Sequence, residues 1–203
     1  MIMEFYEIFL EFEENTIYKA SEITNKLTTK YPELGNEIIL PINIQDDNRN
    51  IPIFIFSQNE NFQIHGNCYN LVMHFNGKTH DEIIEIISSI YEIFDNNKNN
   101  FIGIACTYQE LNNPIKIDEF KKRYFTNLNS IKEDEIHLSL IREIEINDKK
   151  TRCLEGYSTL NNEFISHFEF NMKESNFQIL GLDYIISFFK QTTKYKEDKK
   201  KCL

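Results

Sequence analysis

The chain has 203 residues, is 41% hydrophobic and 13% aromatic, and carries a formal net charge of −10 with a pI near 5.0. That apolar content excludes an intrinsically disordered chain, and the length suffices for one substantial core or two intimately packed halves. The acidity disfavours direct nucleic-acid binding, because a phosphate backbone is attracted only where basic residues gather on one face; the basic clusters here, 121–123 and 194–201, are both short.

In chain order, 5–12 (FYEIFLEF) alternates so that Tyr6, Ile8, Leu10 and Phe12 share one side of a strand. A helix is expected from about Asn15 to Tyr31, with Ile17, Ala20, Ile23, Leu27 and Tyr31 as its apolar stripe, stopped by Pro32 and Gly35. Strands are expected at 37–44, 51–57, 61–66 and 68–75, then a helix from Thr79 to about Asp95 carrying Ile83, Ile84, Ile87, Ile90, Tyr91 and Phe94. After a polar break at 95–100 the pattern restarts. It gives a strand at 101–108, a short helix at 117–128, strands at 135–146, 151–160 and 163–172, and a last helix from about Phe177 to Tyr195, with Ser175 and Gln178 as its capping pair.

The fold class read from this order is α+β. Two similar halves, 1–97 and 101–197, each run strand, helix, three or four strands, helix. Their packing is expected to form a curved antiparallel sheet with the long helices on one face, and 198–203 is expected to be a flexible basic tail. Glu4, Glu7 and Glu11 interrupt every apolar run near the start, so no secretion signal is expected there, and no stretch approaches the length of a membrane span. Cys68, Cys106, Cys153 and Cys202 form no CxxC pair, and reduced thiols in the cytoplasm are the expectation.

The stretch 71–82 (LVMHFNGKTHDE) invites comparison with a phosphate-binding loop. Such a loop needs a glycine four residues before the Gly-Lys pair, and Val72 stands there, in a run that alternates as a strand. Thr79 as N-cap, with Glu82 three residues on, explains the sequence as a helix start. The neighbouring His65, Cys68, His74 and His80 invite a zinc reading. With Gly66-Asn67 read as a two-residue turn, Cys68 and His74 lie roughly 20 Å apart at about 3.3 Å per residue, beyond the reach of one ion. No metal and no cofactor is expected, and no nucleophile motif of the GxSxG or HExxH type occurs.

Alternation assigns faces. His137, Glu143 and Glu145 oppose Leu138, Leu140, Ile144 and Ile146; His167, Glu169 and Asn171 oppose Phe164, Phe168 and Phe170. Gln63, His65, Asn70 and His74 oppose Phe62, Ile64, Leu71 and Phe75. A wet sheet face is ordinary. The sharper reading makes Gln63, His65, Asn70, His74, His137, Glu143, Glu145, His167 and Glu169 a recognition surface.

The run 101–125 (FIGIACTYQELNNPIKIDEFKKRYF) resembles the middle of a sporadically distributed, uncharacterised family of bacterial and archaeal proteins. There a strand with an Ile-Gly-Leu-Arg-Tyr-x-Asn run precedes a Pro-containing loop and a short acidic-aromatic helix. Ile102, Gly103, Tyr108, Pro114, Asp118 and Phe125 match, whereas Thr107 and Gln109 or Glu110 stand where Arg and Asn would be expected. The order of elements also resembles the duplicated TATA-binding-protein and helix-grip architectures. Neither likeness implies an activity. The leading expectation is a non-enzymatic, acidic cytoplasmic interaction protein, a regulator or inhibitor that docks on another protein with a basic surface, a role that fits phage–host or mobile-element conflict. The alternatives are a small-molecule binder of helix-grip type and an enzyme using the His/Glu sheet face.

Overall fold

The computed structural model describes residues 3–13, 20–32, 35–37, 54–58, 61–67, 69–95, 100–112, 122, 137–160, 163–172 and 179–201. Within them run β1 (Met3–Phe12), α1 (Ala20–Lys30), β2 (Gly35–Glu37), β3 (Phe54–Gln58), β4 (Phe62–Gly66), β5 (Asn70–Asn76) and α2 (His80–Asp95). These are followed by β6 (Phe101–Asn112), β7 (His137–Ile146), β8 (Lys149–Leu160), β9 (Glu163–Met172) and α3 (Leu182–Lys201). The class is α+β. The strand order is β2-β3-β4-β5-β1-β6-β9-β8-β7, and every pairing with a described register is antiparallel. Among the described residues no helix is long and apolar enough to cross a membrane.

By mutual contact the chain divides into an N-terminal unit, residues 7–105 and 174–187, and a C-terminal unit, residues 1–6, 106–173 and 188–203. The N-terminal unit buries Ile8, Leu10 and Phe12 of β1, Phe62 and Ile64 of β4, and Leu71, Met73 and Phe75 of β5. The α2 stripe Ile83, Ile87, Ile90 and Phe94 is buried with them, as its helical spacing requires. Phe12 stacks on Phe94 at 5.1 Å and on Phe101 at 5.3 Å, and the register partners Phe62 and Phe75 stack at 5.2 Å.

The stretch 71–82 is a helix start. Gly77 turns the chain at φ +67°, the Thr79 amide and hydroxyl both donate to Glu82 at 2.8 Å, and the Glu82 amide donates back to the Thr79 hydroxyl at 3.3 Å. The β4–β5 connection differs from the two-residue turn expected at Gly66-Asn67. It lies between Gly66 and Asn70, because the Asn67 side chain accepts the amides of Tyr69 and Asn70 at 2.8 and 2.9 Å and holds a longer loop. His65 therefore stands opposite Val72.

The C-terminal unit is built on the β7–β8–β9 meander. Asn147 and Asp148, at φ 51° and 59°, make the two-residue turn between β7 and β8, a conformation these two residue types tolerate. One face buries Cys153 and Tyr157 of β8 with Phe164, Phe168 and Phe170 of β9, and Tyr108, Phe188 and Phe189 close over it. Tyr108 meets Phe170 edge-on at 5.7 Å and Tyr6 edge-on at 5.4 Å.

β6 runs on to Asn112, past the expected end at 108, and both ends of the last helix also differ from expectation. Leu180, buried, ties its amide to the Phe101 carbonyl at 2.7 Å, so the last helix begins only after Gly181. At its other end that helix runs through Lys201, and 198–201 is helix where a flexible tail was expected; ion pairs described below hold it. The expected helix at 117–128 (Lys122 aside), most of the strand at 37–44, Ser175, Gln178, Cys68 and Cys202 lie outside the described residues.

Candidate functional site

Three groups of polar residues compete as a site, and each lies within one unit. The first is the solvent face of β7–β8–β9. Register places His137 beside Ser158 and Ile165, Ser139 beside Gly156 and His167, Ile141 beside Leu154 and Glu169, and Glu143 beside Arg152 and Asn171. Glu145 stands opposite Lys150. His137, Glu143, Glu145, His167 and Glu169 thus share the face that alternation assigns them, opposite the buried phenylalanines. The two glutamates are not an isolated acidic patch, since Lys150 bonds Glu143 at 2.9 Å and Arg152 faces it. That hydrogen bond from Lys150 holds its ammonium above the usual lysine range. The Glu169 carboxylate accepts from Asn171.

Sequence alternation alone did not single out Ile141, which lies on this polar face and is 65% exposed. Its signal is the Leu140-Ile141 step, two adjacent apolar residues in a strict alternation, one of which must face water. Gly156, in the middle of β8, was also passed over. A Cβ there would meet the His167 Cβ at 3.5 Å, an ordinary contact, so the fold itself does not require glycine.

The second group belongs to the N-terminal unit. Gln63 stands opposite His74 and His65 opposite Val72, which brings the two imidazoles into a diagonal stack at 4.9 Å. His74 Nδ1 lies 3.2 Å from the Glu7 carboxylate. Burial lowers both histidine pKa values, and for His65 the neighbouring His74 adds to the effect. Burial thus favours the neutral form of both rings, and His74 Nδ1 is placed to donate an N–H to the Glu7 carboxylate. Asn70 lies at the start of β5, half-buried. Among the described residues no three His, Cys, Asp or Glu side chains are placed to hold a metal ion.

The third group, unforeseen in the sequence, is a charged layer inside the C-terminal unit. Glu155 occupies a core position of β8 and is only 2% exposed. Its carboxylate accepts the Tyr195 hydroxyl at 2.7 Å and pairs with Arg142 Nε at 3.0 Å, with Lys199 at 3.9 Å. Glu110, buried on β6, pairs with Lys200. Glu4 accepts the Tyr6 hydroxyl at 2.8 Å and meets Lys200 at 3.0 Å and Lys196 at 3.6 Å. Burial alone would raise the Glu4 carboxyl, but the Tyr6 hydroxyl and the two lysines hold it at about 2.

Lys196 sits 5.0 Å over the Tyr6 ring and 5.5 Å over the Tyr108 ring, and burial, reinforced by Lys200, lowers its pKa. The Tyr108 hydroxyl lies 2.7 Å from that of Thr192. Burial pushes the Cys106 and Cys153 thiols up to about 12.

Shifted groups in one place often mark catalysis. Here each carboxylate is matched by a cation and each tyrosine hydroxyl by a partner, which is the arrangement of a structural network. Its work is to fasten α3 to β1, β6 and β8. The solvent face of β7–β9 carries an exposed apolar side chain, Ile141, with charges of both signs around it. Compared with known proteins, the chain matches no family model, and no curated protein matches it either.

Proposed function

We propose that this protein is a non-enzymatic binding module that docks another protein through the solvent face of β7–β9. The observation that carries this reading is Ile141, 65% exposed and paired across strands with Leu154, inside a field of Glu143, Glu169, Arg152 and His167. An apolar centre within a polar rim is the anatomy of protein interfaces. Gly156 adds to it: a mid-strand glycine costs roughly 0.5–1 kcal/mol relative to alanine, and here it leaves backbone open to close approach by a partner. The partner that fits brings an apolar side chain to this centre and charges of both signs to its edges.

The test is affinity capture from the native host with the wild-type chain, Leu154→Asp and Gly156→Val, each checked for an unchanged melting temperature. A partner held by the wild type and lost by both variants supports the reading. A partner held equally by all three places the working surface elsewhere.

We infer further that the two sequence halves descend from one duplicated unit. The strand order supports this, running β1, β5, β4, β3 outward in one direction and β6, β9, β8, β7 in the other, so that every strand but the outermost, β2, has a counterpart in the other half.

A further inference from the structure

β7 closes one end of the strand order and has ten residues, His137–Ile146, without proline or lysine, and with most of its side chains exposed or half-buried. No described strand pairs with its outer edge. The β7–β8 turn fixes which backbone groups face that edge. Across a two-residue hairpin the flanking pair, Ile146 and Lys149, exchanges both hydrogen bonds, and hydrogen-bonded pairs then alternate along the ladder. Even-numbered residues of β7 therefore direct N–H and C=O to β8. Those of His137, Ser139, Ile141, Glu143 and Glu145 point outward.

We propose that two copies of this chain pair antiparallel through β7, about a two-fold axis at Ile141. Centring on Ile141 makes every outward-directed residue meet another outward-directed residue, so the new ladder is in phase. It sets His137 against Glu145 of the second copy, Ser139 against Glu143, Ile141 against itself, and on the other face Leu138 against Ile144. Moving the centre to Arg142 or Glu143 would oppose two like charges, and moving it to Leu140 or Ser139 would shorten the ladder. Charge, hydrophobicity and hydrogen-bond phase thus select one register, and an isologous two-fold contact is the commonest way identical chains associate. The pairing rests on the edge of β7 and shares Ile141 with the docking surface proposed above; Leu154→Asp and Gly156→Val on β8 test that surface, whereas the Ile141 variants and sedimentation test the pairing.

Sedimentation of the full chain across a wide concentration range should show a monomer–dimer equilibrium. Ile141→Pro should sediment as a monomer with its circular dichroism and melting temperature nearly unchanged, because the lost N–H faces outward and serves no bond to β8. Ile141→Lys, which brings two ammonium groups together at the axis, should also be monomeric and covers the case in which the proline variant fails to fold. Glu145→Lys should weaken the dimer about tenfold, since two symmetry-related pairs are lost, and adding His137→Glu should restore it. A wild-type chain that remains monomeric at every concentration overturns the proposal, as does a dimer that survives both Ile141 variants.

Discussion

Glu4 is a surface-accessible carboxylate drawn into a buried network, and its protonation couples that network to pH. Its folded pKa of about 2 lies below the ordinary 4.5. The unfolded chain therefore takes up the proton first as pH falls, so the stability contributed by the Glu4 carboxylate is complete above about pH 4.5 and is lost on the way down to about pH 2. Melting temperatures of the wild type and Glu4→Gln should differ at pH 6 and converge at pH 2; an equal difference at both would remove Glu4 from the network. At this scale the sequence was partly readable. Alternation put Phe168, and helical spacing Ile87, in the core, where both are 1% exposed. It could not announce Glu155, because a glutamate at a core position of 151–160 resembles a phase error until Arg142 and Tyr195 are seen to meet it.

Elements follow the same division. The helix starting at Thr79 was legible because a capping box and an apolar stripe agree on one boundary. The end of α3 was not, since Lys196, Lys199 and Lys200 read as a solvated run when nothing shows which carboxylates lie beneath them. The stripe of buried positions in fact continues from Ile185 through Phe188, Phe189, Thr192 and Thr193 to Lys196, in helical spacing. Removing residues 194–203 should consequently cost at least about 3 kcal/mol, because Glu110 would stay buried without Lys200, and Glu155, though still paired with Arg142, would lose the Tyr195 hydroxyl and Lys199. Denaturant unfolding decides it. A truncated chain as stable as the full one would make this stretch the dispensable tail that its composition suggests.

Across the whole molecule, sequence pattern and contact pattern divide the chain differently. Pattern suggests a cut between 97 and 101, whereas β1, β6 and α3 each contribute one end to the N-terminal unit and the other to the C-terminal unit. That sharing cannot be read from local periodicity, which reports a strand without reporting what each part of it touches. Expressed separately, 1–97 and 101–197 should each fail to give a cooperative melt, the first lacking Phe101 and Leu180 from its core and the second lacking Tyr6. Mixing the two pieces should recover structure. A sharp thermal transition in either piece alone would show that a half carries its own complete core.

Cys106 and Cys153 give the C-terminal unit a built-in clock. Both are buried thiols with pKa values near 12, so at neutral pH almost no thiolate exists to react while the fold is closed. Alkylation of either must wait for an opening that exposes it. The rate at which peptides containing Cys106 and Cys153 gain label therefore counts opening events, separately on β6 and on β8, without any reporter being added. Equal rates at the two positions would mean that both strands let go in one event, and a faster Cys153 would mean that β8 leaves before β6.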